Sequence, residues 1–339
     1  MASEKVTSLQ VAQKAGVSQS AVSRVFTPGA SASKKTIERV RSAADELGYR
    51  PNVLARSLIT GRSRIIGLVA AYLENHFYPE AMELLSNALQ EKGYHVLIFM
   101  ASQTAGNVSN VVDEILDYQV DGIIAASVAL SSNLAERCQA AGIPVVLFNR
   151  AQDDPRLSAV TSDNESGGKK IAQFLLAGGH QRIAYIAGWE GASTQRDREA
   201  GFVAELEAQG QALFAREVGN FNIDQARLAA GKMFNAEVVP DAVFVANDHM
   251  AFAVMDVLRF ELGLKIPQDV SVVGYDDVPL ASWPAYDLTT VRQRANQMVE
   301  QTVSILLDRI ENRQGEAQRI AIDGPLTLRG SARIPEGWI

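Results

Sequence analysis

The stretch TSLQVAQKAGVSQSAVSRVFT, residues 7–27, is rich in Ser, Thr, Gln and Ala, with Lys14 and Arg24 among them. Short hydroxyl and amide side chains on so little apolar material suit contact with another polar surface better than burial in a core. The charge says which surface. Residues 1–63 hold ten Lys or Arg against four Asp or Glu, a balance of +6, while the rest holds 22 against 35, a balance of −13 within the net −7. A basic module on an acidic body is the electrostatic footprint of a polyanion-binding head. A second set of reactive groups lies in AYLENHFYP, FNR, GWEGASTQRDR, AND and GYDD, each following an apolar run. Carboxylates, amides, guanidinium groups and rings in such places could hydrogen-bond and stack on a small polar molecule. Catalysis fits less well. The histidines at 76, 95, 180 and 249 have no metal-ligand spacing. DNESGGKK and AGGH are glycine turns without a phosphate-binding or dinucleotide fingerprint. No serine elbow occurs, and Cys138, the one cysteine, has no plausible base and can form no internal disulfide. No catalytic residue, metal or cofactor is expected.

These side chains need elements to position them. In the first fifty residues the apolar period is helical and the segments are short. Thr7 can cap a helix over 8–14, with Gln10 placed for a capping box; Gly16 allows a tight turn; Ser18 caps a helix over about 19–26. TPGAS breaks that helix, and Ser33 caps a third over about 34–47, stopped by Gly48. Three short helices with one sharp glycine turn predict a helix-turn-helix head over 1–50. YRPNVLARSLITGRSR then carries one short amphipathic turn between breakers, a linker over 51–63 that needs a partner to fold.

From Arg64 the pattern becomes strand and helix in alternation. Strands are expected at RIIGLVAA, HVLIFMA, GIIAAS, VVLFN, AVTSD, RIAYIAG, AVFVAN and VSVVGYD, with helices over about 80–92, 166–177, 196–208, 224–234 and 248–262. Apolar strands between amphipathic helices predict an α/β body of two doubly wound parallel sheets, with ligands beyond the carboxyl ends of the strands. The 339 residues, 47% hydrophobic, suffice for two or three domains. The longest apolar run, IIGLVAAYL, is less than half of the roughly 20 residues a membrane-spanning helix needs. MASEKVTSLQ has no apolar signal region, so a cytoplasmic protein with no membrane partner is expected.

Ten segments in order, VAQKAGVSQSAVSRV, YRPNVLARSL, IIGLV, IPVVLFNR, SDNESGG, GGHQRIAYIAG, STQRDREAGF, VFVANDHMA, DVSVVGYDD and LTTVRQ, make the chain resemble the lactose repressor (LacI/GalR) family of bacterial transcription regulators from about residue 6 to about residue 329. The resemblance implies a recognition helix in the major groove, with Gln19, Ser20 and Arg24 facing bases and Thr7, Ser18, Ser23, Ser33 and Lys35 facing phosphates. It also implies a hinge helix that forms on operator DNA, pairs with its twin and wedges Leu58 into the minor groove, with Asn52, Ala55 and Arg56 beside it.

The body then resembles periplasmic sugar-binding proteins over 64–339. One subdomain would take about 64–162 plus 292–323 and the other about 163–291 plus 324–339, with an effector between them. Carried over residue by residue, the effector side chains are Thr194, Arg196, Arg198, Phe221, Asn247, Asp276 and Gln293 on one side, and Tyr72, His76, Phe77, Tyr78, Asn149 and Arg150 on the other. A sugar, sugar acid or nucleoside-like molecule suits them, and guanidinium groups at 150, 196 and 198 tilt the choice towards a carboxylate or phosphate. Implied partners are a palindromic operator, that effector and a second copy of the chain. The ending LTLRGSARIPEGWI has no heptad, so a dimer and not a tetramer is expected, acting on the nucleoid as a repressor. The body alone would also suit a free sugar-binding transport protein; the basic head and the missing signal region argue against that.

Overall fold

The computed structural model describes residues 6–27, 31–50, 62–101, 114–127, 132–312 and 316–338. Contacts divide the chain into two compact units, Met1–Ser63 and Arg64–Ile339.

The first unit is built on α1 (Ser8–Ala15), α2 (Gln19–Val25) and α3 (Lys34–Leu47). Each begins where a hydroxyl can cap it: Thr7, Ser18 and Ser33 accept from the backbone N–H three residues on. The Thr7–Gln10 capping box is formed from both sides. Gly16, at φ +62°, makes the left-handed turn between α1 and α2, which a Cβ would disfavour. Val11, Ala12, Ala15, Val22, Val40, Ala43 and Ala44 form a small core, flanked by Val25, Phe26 and Leu47. Arg39 of α3 donates to the carbonyls of Ala15 and Gly16, bolting the third helix onto the turn.

The second unit contains two six-stranded sheets. In chain order its elements are β1 (Ile65–Ala70), α4 (Phe77–Glu91), β2 (His95–Met100), β3 (Gly122–Ala126), α5 (Ser132–Ala140), β4 (Val145–Phe148), β5 (Ser158–Ser162), α6 (Asn164–Ala177), β6 (Ile183–Ala187), α7 (Ser193–Ala208), β7 (Ala215–Val218), α8 (Ile223–Phe234), β8 (Ala242–Val245), α9 (Asp248–Asp256), β9 (Ser271–Asp276), β10 (Thr289–Arg292), α10 (Ala295–Asn312), β11 (Arg319–Ile322) and β12 (Leu326–Thr327). One sheet runs β11-β5-β4-β3-β1-β2, all parallel. The other runs β12-β10-β9-β8-β6-β7, parallel except for β12. The central strands β3, β4, β6, β8 and β9 are buried along their whole length, as doubly covered strands must be.

All eight expected strands form. The sequence reading missed β7, β10, β11 and β12, short segments that carry charges or hydroxyls and lack a continuous apolar run, and it missed two helices, α5 and α10, the latter packed on the first sheet. Two helices start three residues earlier than expected, α4 at Phe77 and α7 at Ser193. Helix α9 gives way to a wider π turn, Val257–Glu261.

One packing detail decides where a functional side chain sits. Helices α6 and α7 cross at backbone contact: a Cβ at Gly168 would lie 2.1 Å from the Arg198 carbonyl oxygen, and one at Gly201 would lie 2.0 Å from that of Glu165. Only glycine at both positions allows the crossing that delivers Arg198 to the end of the sheet.

Candidate nucleic-acid interface and ligand cleft

On α2 the inward face is Val22, and Gln19, Ser20, Ser23 and Arg24 are exposed together on the outward face. Spacing of i, i+1, i+4 and i+5 places these four on one side of a helix. Gln19 Nε2 donates to Ser8 Oγ (2.9 Å) and Arg24 Nε to the Ser20 carbonyl (3.4 Å), so both long side chains lie along the surface. Thr7, Ser18 and Ser33 act as caps, and Lys35 is exposed in the first turn of α3. Asn52, Ala55, Arg56 and Leu58 lie outside the described residues.

In the second unit the strand ends converge on Asp276. This buried carboxylate accepts from Gln293 Nε2 (2.7 Å), Asn75 Nδ2 (3.0 Å) and Arg198 NH2 (3.4 Å). Arg198 is itself pinned: Nε donates to Asn164 Oδ1 (2.9 Å), NH1 to the Ala246 carbonyl (2.6 Å), and the guanidinium carbon lies 3.7 Å from the Tyr275 ring centre. Because Asn75 follows β1 and Asp276 ends β9, their bond spans the two sheets. Glu74 and His249 approach to 3.9 Å across the same gap.

Beside this pair lies Arg150, just past β4. It donates to the Ser127 carbonyl (3.1 Å), and its guanidinium carbon is 5.6 Å from the ring centres of both Trp189 and Phe221. Asn149 donates to Tyr78 Oη (2.9 Å), and Tyr78 meets the Tyr72 ring edge-on at 5.4 Å. Gln195 Oε1 accepts from Tyr185 Oη (2.8 Å) and the Gly188 N–H (2.5 Å), fixing the turn that carries Trp189.

Backbone strain collects here. Asn149 (φ +70°), Asn220 (+53°), Phe221 (+56°), Asp276 (+130°) and Asp277 (+58°) all adopt conformations that L residues disfavour. Unmet polar groups collect here too: Ser127 Oγ, Asn149 Oδ1, Arg150 Nε, Asn247 Nδ2 and Gln293 Oε1 are buried without a hydrogen-bond partner among the described residues. Buried donors and acceptors are normally satisfied, so a cluster of exceptions marks a place where another molecule's polar groups belong.

The electrostatics follow from burial. Burial and then repulsion from Asp276 push the Asp248 carboxyl up to about 7; it is bonded to Thr290 Oγ1 (2.6 Å) and the Val278 N–H (3.0 Å). Burial also raises Asp276, opposed first by Arg198 and then by the Asn75 and Gln293 amides. Tyr72 is raised by burial and by Tyr78 beside it.

Two expected effector residues, Arg196 and Phe77, are placed away from Asp276 and Arg150. Arg196 is exposed and donates to the Gly191 carbonyl (3.2 Å), because the first turn of α7 rotates it away from Arg198. His76 is exposed before α4. Phe77 enters the core, stacked on Phe148 at 6.2 Å. Thr194 is buried in the first turn of α7. Sequence reasoning passed over Asn75, Ser127, Asn164 and Trp189. Asn75 and Trp189 lay inside stretches already marked as polar strand ends, while Ser127 and Asn164 had no local signal.

Two family models match the chain: bacterial regulatory proteins, lacI family, over residues 9–52, and periplasmic binding protein-like domain over residues 172–332. The HTH-type transcriptional repressor PurR of Vibrio parahaemolyticus is 30% identical over 95% of this chain and 97% of its own. The ribose operon repressor of Escherichia coli K12 is 30% identical over 96% and 99%. Among solved structures, a lac repressor dimer bound to operator and the anti-inducer ONPF superposes with a TM-score of 0.87 at 29% identity, covering 97% of this chain and 99% of that one. A complex of the transcriptional regulator CelR with cellobiose gives 0.73 at 30% identity, covering 96% and 100%. With an exposed polar helix face on its first unit and a two-sheet cleft in its second, this chain belongs to the lacI family of bacterial regulatory proteins: it is a DNA-binding transcriptional regulator, not an enzyme.

Proposed function

We propose that this protein is a repressor that binds a palindromic operator as a homodimer, and that a small polar effector in the cleft sets its operator affinity. Gln19, Ser20 and Arg24 read bases in the major groove. Thr7, Ser18, Ser23, Ser33 and Lys35 fix the head on phosphates, and Asn52, Ala55, Arg56 and Leu58 enter the minor groove. The effector lies among Tyr72, Tyr78, Asn149, Arg150, Thr194, Arg198, Phe221, Asn247, Asp276 and Gln293.

The observation that carries the effector reading is the set of unpartnered buried polar atoms that follow β3, β4, β8 and β10. Leaving each unmet costs about 1–3 kcal/mol, which ligand hydroxyls and amides would recover. The Trp189 and Phe221 rings give a sugar or nucleoside-like ring something to lie against. The relatives named for ribose and solved with cellobiose support a carbohydrate-like ligand. Exposed apolar side chains at Leu228, Phe260, Trp283, Ile98 and Met100 support the dimer.

The test has two arms. The full chain should be retained by a palindromic duplex selected from a random pool, and chain lacking residues 1–63 should not. In thermal denaturation against sugars, sugar acids and nucleosides, a ligand at 100 times its dissociation constant should add about 2.7 kcal/mol. Arg198→Ala and Asp276→Ala should each abolish that gain. Retention without the head, or a ligand gain that survives both substitutions, contradicts the reading.

A further inference from the structure

The cleft holds two guanidinium groups and they are not equivalent. Arg198 is matched by the Asp276 carboxylate at 3.4 Å and has a hydrogen-bond acceptor on each of its three nitrogens. Among the described residues Arg150, 5% exposed, donates to the Ser127 carbonyl and keeps its Nε without a hydrogen-bond partner. Among the described residues, no carboxylate lies within ion-pair distance of it. A buried cation is costly unless a counter-charge meets it, and here the described residues supply none.

A second feature points the same way. Helix α7, sixteen residues long, starts at the edge of the same space with no side-chain cap, because its N-cap residue is Ala192. Its first residue, Ser193, is tied to the chain just after Arg150 through the Ala151 N–H to Ser193 Oγ bond (3.0 Å). Ser193 and Thr194 are both buried. That bond brings the positive end of the helix dipole near the unmatched guanidinium, whose carbon lies 5.6 Å from the Trp189 and Phe221 ring centres.

We propose that the effector carries an oxyanion, a carboxylate or a phosphate ester, that docks on Arg150 beside the N-terminus of α7, while its hydroxyls meet Asp276, Gln293 and Asn247. This rests on the reading of the cleft as the effector site. A planar guanidinium recognises such a group through two parallel N–H bonds, which Nε and a terminal nitrogen of Arg150 can supply. Asp276 adds no net negative charge to the space because Arg198 offsets it, so a neutral polyol would leave Arg150 uncompensated.

Calorimetry and tryptophan fluorescence of the full chain test this with matched probes: glucose, gluconate, glucuronate and glucose 6-phosphate, together with ribose and ribose 5-phosphate. At least one anionic probe should bind ten-fold or more tightly than its neutral counterpart, and whether it is an acid or a phosphate identifies the source of the oxyanion. Arg150→Gln should weaken that probe by about 10- to 100-fold. Arg150→Lys should keep part of the affinity, and the unliganded unfolding temperature reports whether each variant is folded. Neutral probes binding as tightly as their acids in wild type, with Arg198→Ala abolishing both, would overturn the oxyanion assignment and leave the cleft standing. An anionic probe held equally well by Arg150→Gln would overturn it too. Failure of every probe, neutral and charged, would remove the cleft reading and this proposal together.

Discussion

At the scale of single residues, the cleft shows how position and not type assigns a role. Asp248, Asp276 and Asp277 are three carboxylates within one strand end and one helix start, yet each has a different partner set. Asp277 takes two arginines, Arg292 Nε at 2.5 Å and Arg329 NH2 at 2.6 Å, and closes the second sheet. Asp276 faces the ligand space with Arg198. Asp248 has no ion-pair partner among the described residues, and burial, then the neighbouring Asp276, pushes its carboxyl up to about 7. Its Oδ1 accepts from Thr290 Oγ1 and its Oδ2 from the Val278 N–H. A raised carboxyl stabilises the fold while it stays protonated, and that contribution is lost as pH rises from about 4 through about 7. Asp248→Asn, which keeps the shape and cannot ionise, should flatten the fall in unfolding temperature over that range; calorimetric scans of both proteins at several pH values check this. On the head, Arg24→Ala should cost about 1–3 kcal/mol of operator binding and relax base preference at one position, read by competition among operator variants. Lys35→Ala should weaken all sequences alike and lower the salt slope by about one. Arg198, Asp276, Asn247 and Gln293 were expected together from the family resemblance, and the structure brings Arg198 and Gln293 onto Asp276. Arg196 was misplaced because two arginines two residues apart on a helix look alike until the helix is rotated against its neighbours.

At the scale of elements, capping and close packing decide what the site can be. The head was legible almost to the residue: hydroxyl caps and left-handed glycines are local signals, and each predicted helix end falls within one residue of the observed one. Ser18→Ala should therefore destabilise the head by about 1 kcal/mol, measured by denaturant unfolding followed in the helical signal. The body was legible where strands are apolar throughout and illegible at its edges, where β7 and β11 alternate and β12 is two residues long. The crossing of α6 on α7 could not be read at all, because a glycine in a helix is a weak local signal and its reason lies on the other helix. Gly201→Ala places a Cβ 2.0 Å from the Glu165 carbonyl oxygen and must push the helices apart. It should cost about 1–3 kcal/mol of stability and weaken any ligand held by Arg198, although residue 201 itself faces α6. Thermal unfolding with and without ligand separates the two effects.

At the scale of the whole molecule, two sheets share one cleft and the chain passes between them more than once. Ser162 Oγ and Tyr275 Oη meet at 3.3 Å, and Lys170 pairs with Asp323 where the chain returns to the second sheet. The Asn75–Asp276 bond crosses the gap directly. A ligand hydroxyl that took over an acceptor site on Asp276 would compete with that bond. Any coupling to DNA is reciprocal: the factor by which the effector changes operator affinity equals the factor by which the operator changes effector affinity. The measurement that tests this account most directly is the anisotropy of a labelled, selected palindromic duplex titrated with the full chain, with and without each compound that raises the unfolding temperature. The account predicts that at least one such compound moves the half-saturation point about 5- to 150-fold, and that Arg198→Ala abolishes the shift while still binding the duplex. Compounds that stabilise the protein through the cleft and leave operator affinity unchanged would contradict it.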